Sequence, residues 1–420
     1  MPSSAAIRRY AAIPACMFLF ILPFAHTVAL RHLGLFMTVM SAAYVWYRDP
    51  PPPVPCKLPL LFWAGVCWAS LLWSIDPSYT FGELKNEVGY TMAAFLAFYA
   101  LTRDEADLRR WLYTLLTGLL ILSIIAIGNY LERGAWDLSG EVKGFLGDRN
   151  SYSTYIVLIT PLALLVALLP SAGGHLRKFG WIALPLALVS GSLTLNRMMW
   201  PSLIVMALLL FALYLRKFHA DKPVWLPGVA AGVLLLTVFA GQFAVVSITK
   251  GGVPQSSWTG VEKSFAKDPR FLIWSYAKER VAERPIVGHG YGRGILKAQF
   301  QGHFGNPMFW HGHNMLLNYL LELGLVGGVA LLWLVTALVR KLWQLYSSDD
   351  GRTRESGLLG LAVLAGILVK TLTDDILVRD NGLLFWALMG ISSVSVFTSM
   401  PARTASPSRP DSRVRPSSEE

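Results

Sequence analysis

About a dozen apolar runs of some 20 residues recur along the whole chain, separated by short charged or Pro- and Gly-bearing breaks. A bilayer core about 30 Å thick needs roughly 20 apolar residues per crossing helix. A chain patterned in this way buries its apolar surface against lipid and against its own helices. It must also satisfy its backbone polar groups inside those helices, because the bilayer interior offers no water. The composition agrees: 54% of the 420 residues are hydrophobic and 15% charged, at a mean hydropathy of +0.47. Such a balance excludes a soluble domain with one large core. The expected fold is all-α, a polytopic integral membrane protein with about 12 transmembrane helices. They fall near 11–30, 33–47, 58–75, 87–101, 111–130, 152–170, 179–196, 199–215, 225–249, 314–339, 355–373 and 382–399.

Charge placement sets the sidedness, since Lys and Arg concentrate in short loops that stay cytoplasmic. With the N-terminus inside, about 20 of the 37 basic residues fall in inner segments, among them Arg8, Arg48, Arg103, Arg216 and Arg352; about 8 fall in short outer loops. Both termini are then cytoplasmic, and the long polar stretch 250–312 faces outward. The net charge of +11 follows this topology and forms no clustered basic stripe, so nucleic acid is not an expected partner. Arg8 and Arg9 before an apolar run imitate a signal peptide, but no small-x-small cleavage site follows, and a retained first helix is expected. Cys16, Cys56 and Cys67 lack metal-ligand spacing and read as apolar filler. The chain therefore divides into N-terminal helices 1–249, the outer loop 250–312, C-terminal helices 313–399, and a Pro-, Ser- and Arg-rich tail 400–420 expected to be disordered.

Within the outer loop, Asp268 and Pro269 read as an N-cap and a first helical residue, and the helix should stop before Pro285. Phe271, Trp274 and Val281 are expected to share its apolar face. Arg270 stands in its first turn, where free N–H groups favour an anion such as phosphate. Arg280 and Arg284 either add positive charge or pair with Glu279 and Glu283, the solvated reading being preferred. Gly288-His289-Gly290-Tyr291-Gly292 reads as a turn, since a bare Gly-x-Gly without a preceding strand is weak evidence for a nucleotide. His289, His303, His311 and His313 invite a metal, but no Cys or compact carboxylate set completes the coordination, and none is expected.

His313 and Asn314 stand where the loop re-enters the membrane, with Asn314 placed to cap the next helix and Gly324, Gly327 and Gly328 placed for close helix packing. Arg149 and Arg197 lie near outer helix ends, where an anionic ligand would offset their burial and where snorkelling to lipid headgroups is the alternative. Asp374, Asp375, Arg379 and Asp380 form the last outer turn. One of its carboxylates could orient His313 or bind a substrate, although a solvated loop is the simpler account.

Arg270-Phe271-Leu272-Ile273-Trp274, then Pro285 through Gly292, then His313-Asn314 with nine residues before Gly324, together resemble the outer-loop signature of the O-antigen ligases. The resemblance extends to Gly147-Asp148-Arg149-Asn150 and to Asn196-Arg197. It implies transfer of a glycan from undecaprenyl pyrophosphate to a sugar hydroxyl of lipid A-core oligosaccharide, at the periplasmic face of the bacterial inner membrane. No cofactor or metal is implied. On this reading His313 is the catalytic base, and Arg149, Arg197 and Arg270 hold the donor pyrophosphate. Asn314, Trp274 and Gly324 support the site, and His311, Asp374, Asp375 and Arg284 face the acceptor. Neutral imidazole suits proton removal near pH 7, and guanidinium matches phosphate oxygens with paired donors. Direct attack by the acceptor predicts inversion. O-antigen polymerases and bacterial O-linked oligosaccharyltransferases share much of the pattern. A lipid-linked glycan transporter is the alternative of another class, against which stand the outer-edge position of the charges and the lack of an internal repeat.

Overall fold

The computed structural model describes residues 4–132, 149–169, 172–217, 232, 269–375 and 377–395. The expected span 225–249 apart from residue 232, the loop up to Asp268 with its N-cap, Gly147, Asp148 and the tail lie outside the described residues. All regular structure among the described residues is helical. In chain order the helices are α1 Ser4–Ile21, α2 Val28–Arg48, α3 Lys57–Ala69, α4 Pro77–Glu83, α5 Tyr90–Leu101, α6 Glu105–Glu132, α7 Arg149–Leu168, α8 Gly174–Ser192, α9 Met199–Lys217, α10 Arg270–Glu283, α11 Lys297–Phe304, α12 Met315–Tyr346, α13 Gly351–Lys370 and α14 Arg379–Ser392. Five of these, α2, α6, α7, α9 and α12, are long and apolar enough to cross a membrane. The most enveloped is α7, which packs against α8, α9 and α13.

Local chemistry explains several helix starts. Asp76, Asn314 and Asp350 each accept a hydrogen bond from the backbone N–H three residues on, which satisfies a donor that the first helical turn leaves free. Asp76 is followed by Pro77 at the first helical position, where the missing N–H costs nothing. The short α4 that results runs through a π turn, Leu84–Gly89, into α5, so the element expected at 87–101 is the second half of a longer kinked unit.

The helices run between two polar ends. At one end Arg8 pairs with Asp49 and Asp104, and Arg352 with Glu105. At the other, Asn150 meets Asp374 and Asn196, Thr80 meets Tyr291, and Arg293 meets Asp375. Segments that the charge pattern assigns to one side of the membrane thus meet one another, as alternating helices require.

Two features shape the second end. The first is a small core of Ile273, Tyr276 and Ala277 from α10, Ile295, Leu296 and Phe300 around α11, and Leu321 of α12. The face of α10 differs from the expected one: Trp274 and Val281 pack inward, but Phe271 is 54% exposed, and Ile273 with Tyr276 supplies the burial. The second is a break in α12. Gly324 adopts φ 61° and ψ −157°, inside a helix otherwise apolar enough to span the membrane. The orphaned backbone groups do not go unpaired. Leu325 and Val326 donate to the carbonyls of Pro285 and Ile286, while the carbonyls of Leu321 and Glu322 accept from His289 and Gly290. The glycine turn is therefore a splint that completes a broken helix, which a bilayer tolerates only where protein covers it. Gly324 serves this exchange and not the helix-on-helix packing expected of it.

Candidate functional site

Residues 311–314 approach α12 as an irregular segment held by its own side chains. The Asn314 side chain caps the helix through Leu317 N at 2.9 Å and also donates to the Leu372 carbonyl at 2.7 Å. Met315 N donates to the Thr371 carbonyl at 3.1 Å, so the entry of α12 and the turn after α13 are tied together. Between these ties His313 takes φ 46°, a left-handed conformation uncommon for a residue with a Cβ. Such backbone persists only where its surroundings over-determine it. Here His313 N donates to His311 Nδ1 at 3.1 Å, and the two imidazole rings lie 3.9 Å apart between centroids.

The turn after α13 brings Asp374 to this pair. Its Oδ1 lies 3.5 Å from His313 Nδ1 and 3.9 Å from His311 Nε2, and accepts from Asp375 N at 2.9 Å. Its Oδ2 accepts from Asn150 Nδ2 at 3.1 Å. The solvated-loop account of this turn is overturned, since the Asp374 side chain is 15% exposed and Asp375 is buried. The hydrogen-bond pattern assigns tautomers. His311 Nδ1 accepts, which places its proton on Nε2, and His313 Nδ1 faces a carboxylate, which leaves its Nε2 lone pair free.

Burial alone would raise the Asp374 carboxyl, but the hydrogen bond from His313 and the neighbouring His311, His313 and Lys370 outweigh it and hold the group at about 2. Burial first, and the adjacent His313 second, push His311 down to about 3. His311 is therefore neutral near pH 7, so its own charge contributes nothing there to Asp374; hydrogen bonding and Lys370 do. Burial raises Asp375, against the pull of Arg293.

The three expected donor-binding arginines are placed unequally. Arg149 opens α7 and Arg197 is half-buried just before α9. Their chain neighbours Asn150 and Asn196 bond to each other at 2.7 Å, and Asn150 bonds to Asp374, so both arginines belong to segments that reach the His313 pair. Arg270 opens α10, the helix whose buried face and whose Trp274 pack with Leu317 and Leu321 on the first turns of α12. Arg284 is exposed and reaches the Trp73 carbonyl at 3.4 Å, so it is engaged with another turn. Arg280 pairs with Glu283 at 2.8 Å, the solvated reading. His289 is buried and bonded to the Leu321 carbonyl within the splint, and His303 stacks on Tyr276.

Several residues absent from the sequence reading belong here. Asn318, one turn after Asn314, joins the histidine loop to Asp375. Its spacing of four from Asn314 on one helix face is a signal that could have found it. Arg293 donates to the Asp375 carbonyl at 2.7 Å and lies over Trp310 at 4.9 Å. Beside Asp375 opens a narrow cleft, polar at Glu83, Glu87 and Arg293 and apolar where Leu334, Leu338 and Leu364 line it. That gradient suits an amphiphile.

His311, His313 and Asp374 also offer one ligand atom each within 4.8 Å of one another. Asp374 thus supplies the carboxylate that the sequence near the histidines lacks. Two imidazoles and a carboxylate are a set that a zinc-like ion accepts. An ion there would take the place of the proton between His313 and Asp374.

Residues 182–332, from within α8 through α9 and the outer loop to the first half of α12, match the model of the O-antigen ligase family. Two curated relatives are similar over shorter stretches. A Rickettsia conorii protein provisionally named a polysaccharide ligase is 27% identical over 128 residues, 28% of this chain and 30% of its own length. A Rickettsia felis protein of the same provisional name is 28% identical over 99 residues, 21% of this chain and 24% of its own length. The chain spans less than a third of the length of these relatives.

Proposed function

We propose that this membrane protein is an O-antigen ligase that transfers a glycan from undecaprenyl pyrophosphate to a sugar hydroxyl of lipid A-core oligosaccharide, at the periplasmic face of the inner membrane. The observation that carries this reading is the His313–Asp374 pair, at 3.5 Å, on the segment that enters a family-matched helix.

In this reaction the acceptor hydroxyl gives its proton to His313 Nε2 as its oxygen attacks the anomeric carbon. The bond from that carbon to the pyrophosphate oxygen breaks, and the pair of electrons leaves with the diphosphate. Asp374 holds the imidazole through Nδ1 and stabilises the imidazolium that forms, from a carboxylate that remains ionised. Arg149, Arg197 and Arg270 neutralise the departing diphosphate, which therefore needs no separate acid. Attack opposite the leaving group inverts the anomeric carbon. Asn314, Trp274 and Gly324 act by fixing the loop, the outer helix and the break against α12. His311 and Asp375, both buried, serve the acceptor side from behind, through His313 and Asp374. Twelve membrane crossings, a periplasmic outer loop and cytoplasmic termini complete the proposal, and the paired polar ends support it.

The test is reconstituted protein supplied with undecaprenyl pyrophosphate glycan and either lipid A core or a second lipid-linked repeat. Transfer to the core is expected. Chain elongation alone would assign a polymerase, and donor movement across vesicles without any glycosidic product would assign a transporter.

A further inference from the structure

One amide on α12 sits where the histidine loop and the turn after α13 meet. Asn318 is 1% exposed, in the first turn of α12. Its Oδ1 accepts from Gly312 N at 2.8 Å, and its Nδ2 donates to Asp375 Oδ2 at 2.9 Å while lying 3.4 Å from His311 Nδ1. The approach to Gly312 is close: a Cβ there would come within 2.7 Å of the Asn318 oxygen. Asp375 in turn donates its N–H to Asp374 Oδ1 and receives Arg293 on its carbonyl. The histidine loop and the turn after α13 are thereby registered to each other through the Asn318 side chain, and Arg293 ties that turn to the end of the glycine turn.

Only a short side chain with an acceptor and a donor on one plane meets both demands, a backbone N–H on one side and a carboxylate on the other. An apolar isostere would leave a buried N–H and a buried carboxylate unpaired. An aspartate would set two carboxylates face to face.

We propose that Asn318 is the positioning residue that sets the spacing between His313 and Asp374, acting through Gly312 on one side and Asp375 on the other. Asn318 touches no reacting atom. The inference rests on the transfer reaction proposed above, so its test carries a readout that does not need turnover.

The test exchanges the two partners. N318D should lower kcat by about 10²-fold, the cost of misplacing a reacting group by about 1 Å, with little change in either KM. D375N sets the ceiling for comparison, since asparagine can turn its oxygen toward Asn318. The double variant N318D/D375N restores an amide–carboxylate pair in reverse, with the Gly312 N–H still accepted and the net charge kept. Its kcat should return to the D375N level, a non-additivity that a double-mutant cycle reads directly. In parallel, diethylpyrocarbonate modification of His313 is followed by peptide mass spectrometry against exposed His303. N318D should change that rate by at least about threefold, a shift above the lower limit of measurable coupling, and the double variant should reverse it. A double variant that folds but stays as impaired as N318D by both readouts overturns the proposal. Should N318D fail to fold, a folded double variant at the D375N level still supports it, and one below that level overturns it. Wild-type protein that transfers no glycan, while the modification rates follow the swap, refutes the ligase reading and leaves the positioning role standing.

Discussion

Gly288 and Gly324 each seat against the backbone of the other's segment: a Cβ on Gly288 would fall 2.4 Å from the Glu322 carbonyl, and one on Gly324 would fall 2.4 Å from that of Ile286. Both residues have φ above +60°, so neither the space nor the conformation admits a side chain. This contact holds the glycine turn in the break of α12 and carries Gly292 N to Glu322 Oε2 at 2.9 Å.

Gly288→Ala and Gly324→Ala should each destabilise the protein by roughly 2–4 kcal/mol, from the left-handed backbone and the overpacking together. Thermal unfolding in detergent measures the effect, and the two changes combined should cost less than their sum because they open the same contact. Gly302, with open space around its Cβ position, is the control expected to tolerate alanine.

Asp374 gives a pH signature. Its carboxyl is held at about 2 against an ordinary 3.8, so the native state favours the ionised form. The stability this confers is present above about pH 4 and is lost as pH falls through 2, and it amounts to at most about 2 kcal/mol, since His311 carries no charge near pH 7. Asp374→Asn should lie below wild type by that order at pH 7, and the gap should close on acidification toward pH 2. A constant gap across that range would mean that the carboxylate charge is not what the His313 hydrogen bond and Lys370 hold.

Single Arg149→Ala, Arg197→Ala and Arg270→Ala variants should each weaken capture of the diphosphate donor by roughly tenfold or more, the scale of one charge-assisted pair. Binding of a labelled undecaprenyl pyrophosphate glycan measures this without turnover. Unchanged affinity in all three would remove the donor assignment.

Transfer in the presence of EDTA should proceed at the untreated rate, since the proposed reaction keeps the His313 Nδ1 proton on Asp374 and neutralises the diphosphate with guanidinium groups. Loss of activity with EDTA and its return with zinc would instead place an ion among His311, His313 and Asp374.

Much of this was legible in the chain and some was not, for physical reasons. The all-helical membrane character follows from apolar run length alone. The Asn314 cap follows from residue type and position, and the observed Leu317 N bond agrees. The meeting of His313 with Asp374 was open to the sequence only as one option, because a turn after α13 acquires its burial from tertiary packing. Gly324 read as a packing glycine because small residues in an apolar helix look alike whether a helix or a loop lies against them; only the Ile286–Val287 backbone against it tells them apart. The face of α10 was misjudged at Phe271 because aromatic spacing marks an apolar stripe and does not say which part of it meets protein. Asp76-Pro77 carried a clear helix start, yet the seven residues of α4 are too few for a periodic signal.

The most direct measurement is single-turnover glycan transfer by His313→Ala in reconstituted vesicles, with donor binding measured on the same preparation. Donor affinity should stay near wild type and transfer should slow by about 10²- to 10⁴-fold, the range of a lost general base. Transfer at the wild-type rate would contradict the role of His313 as base.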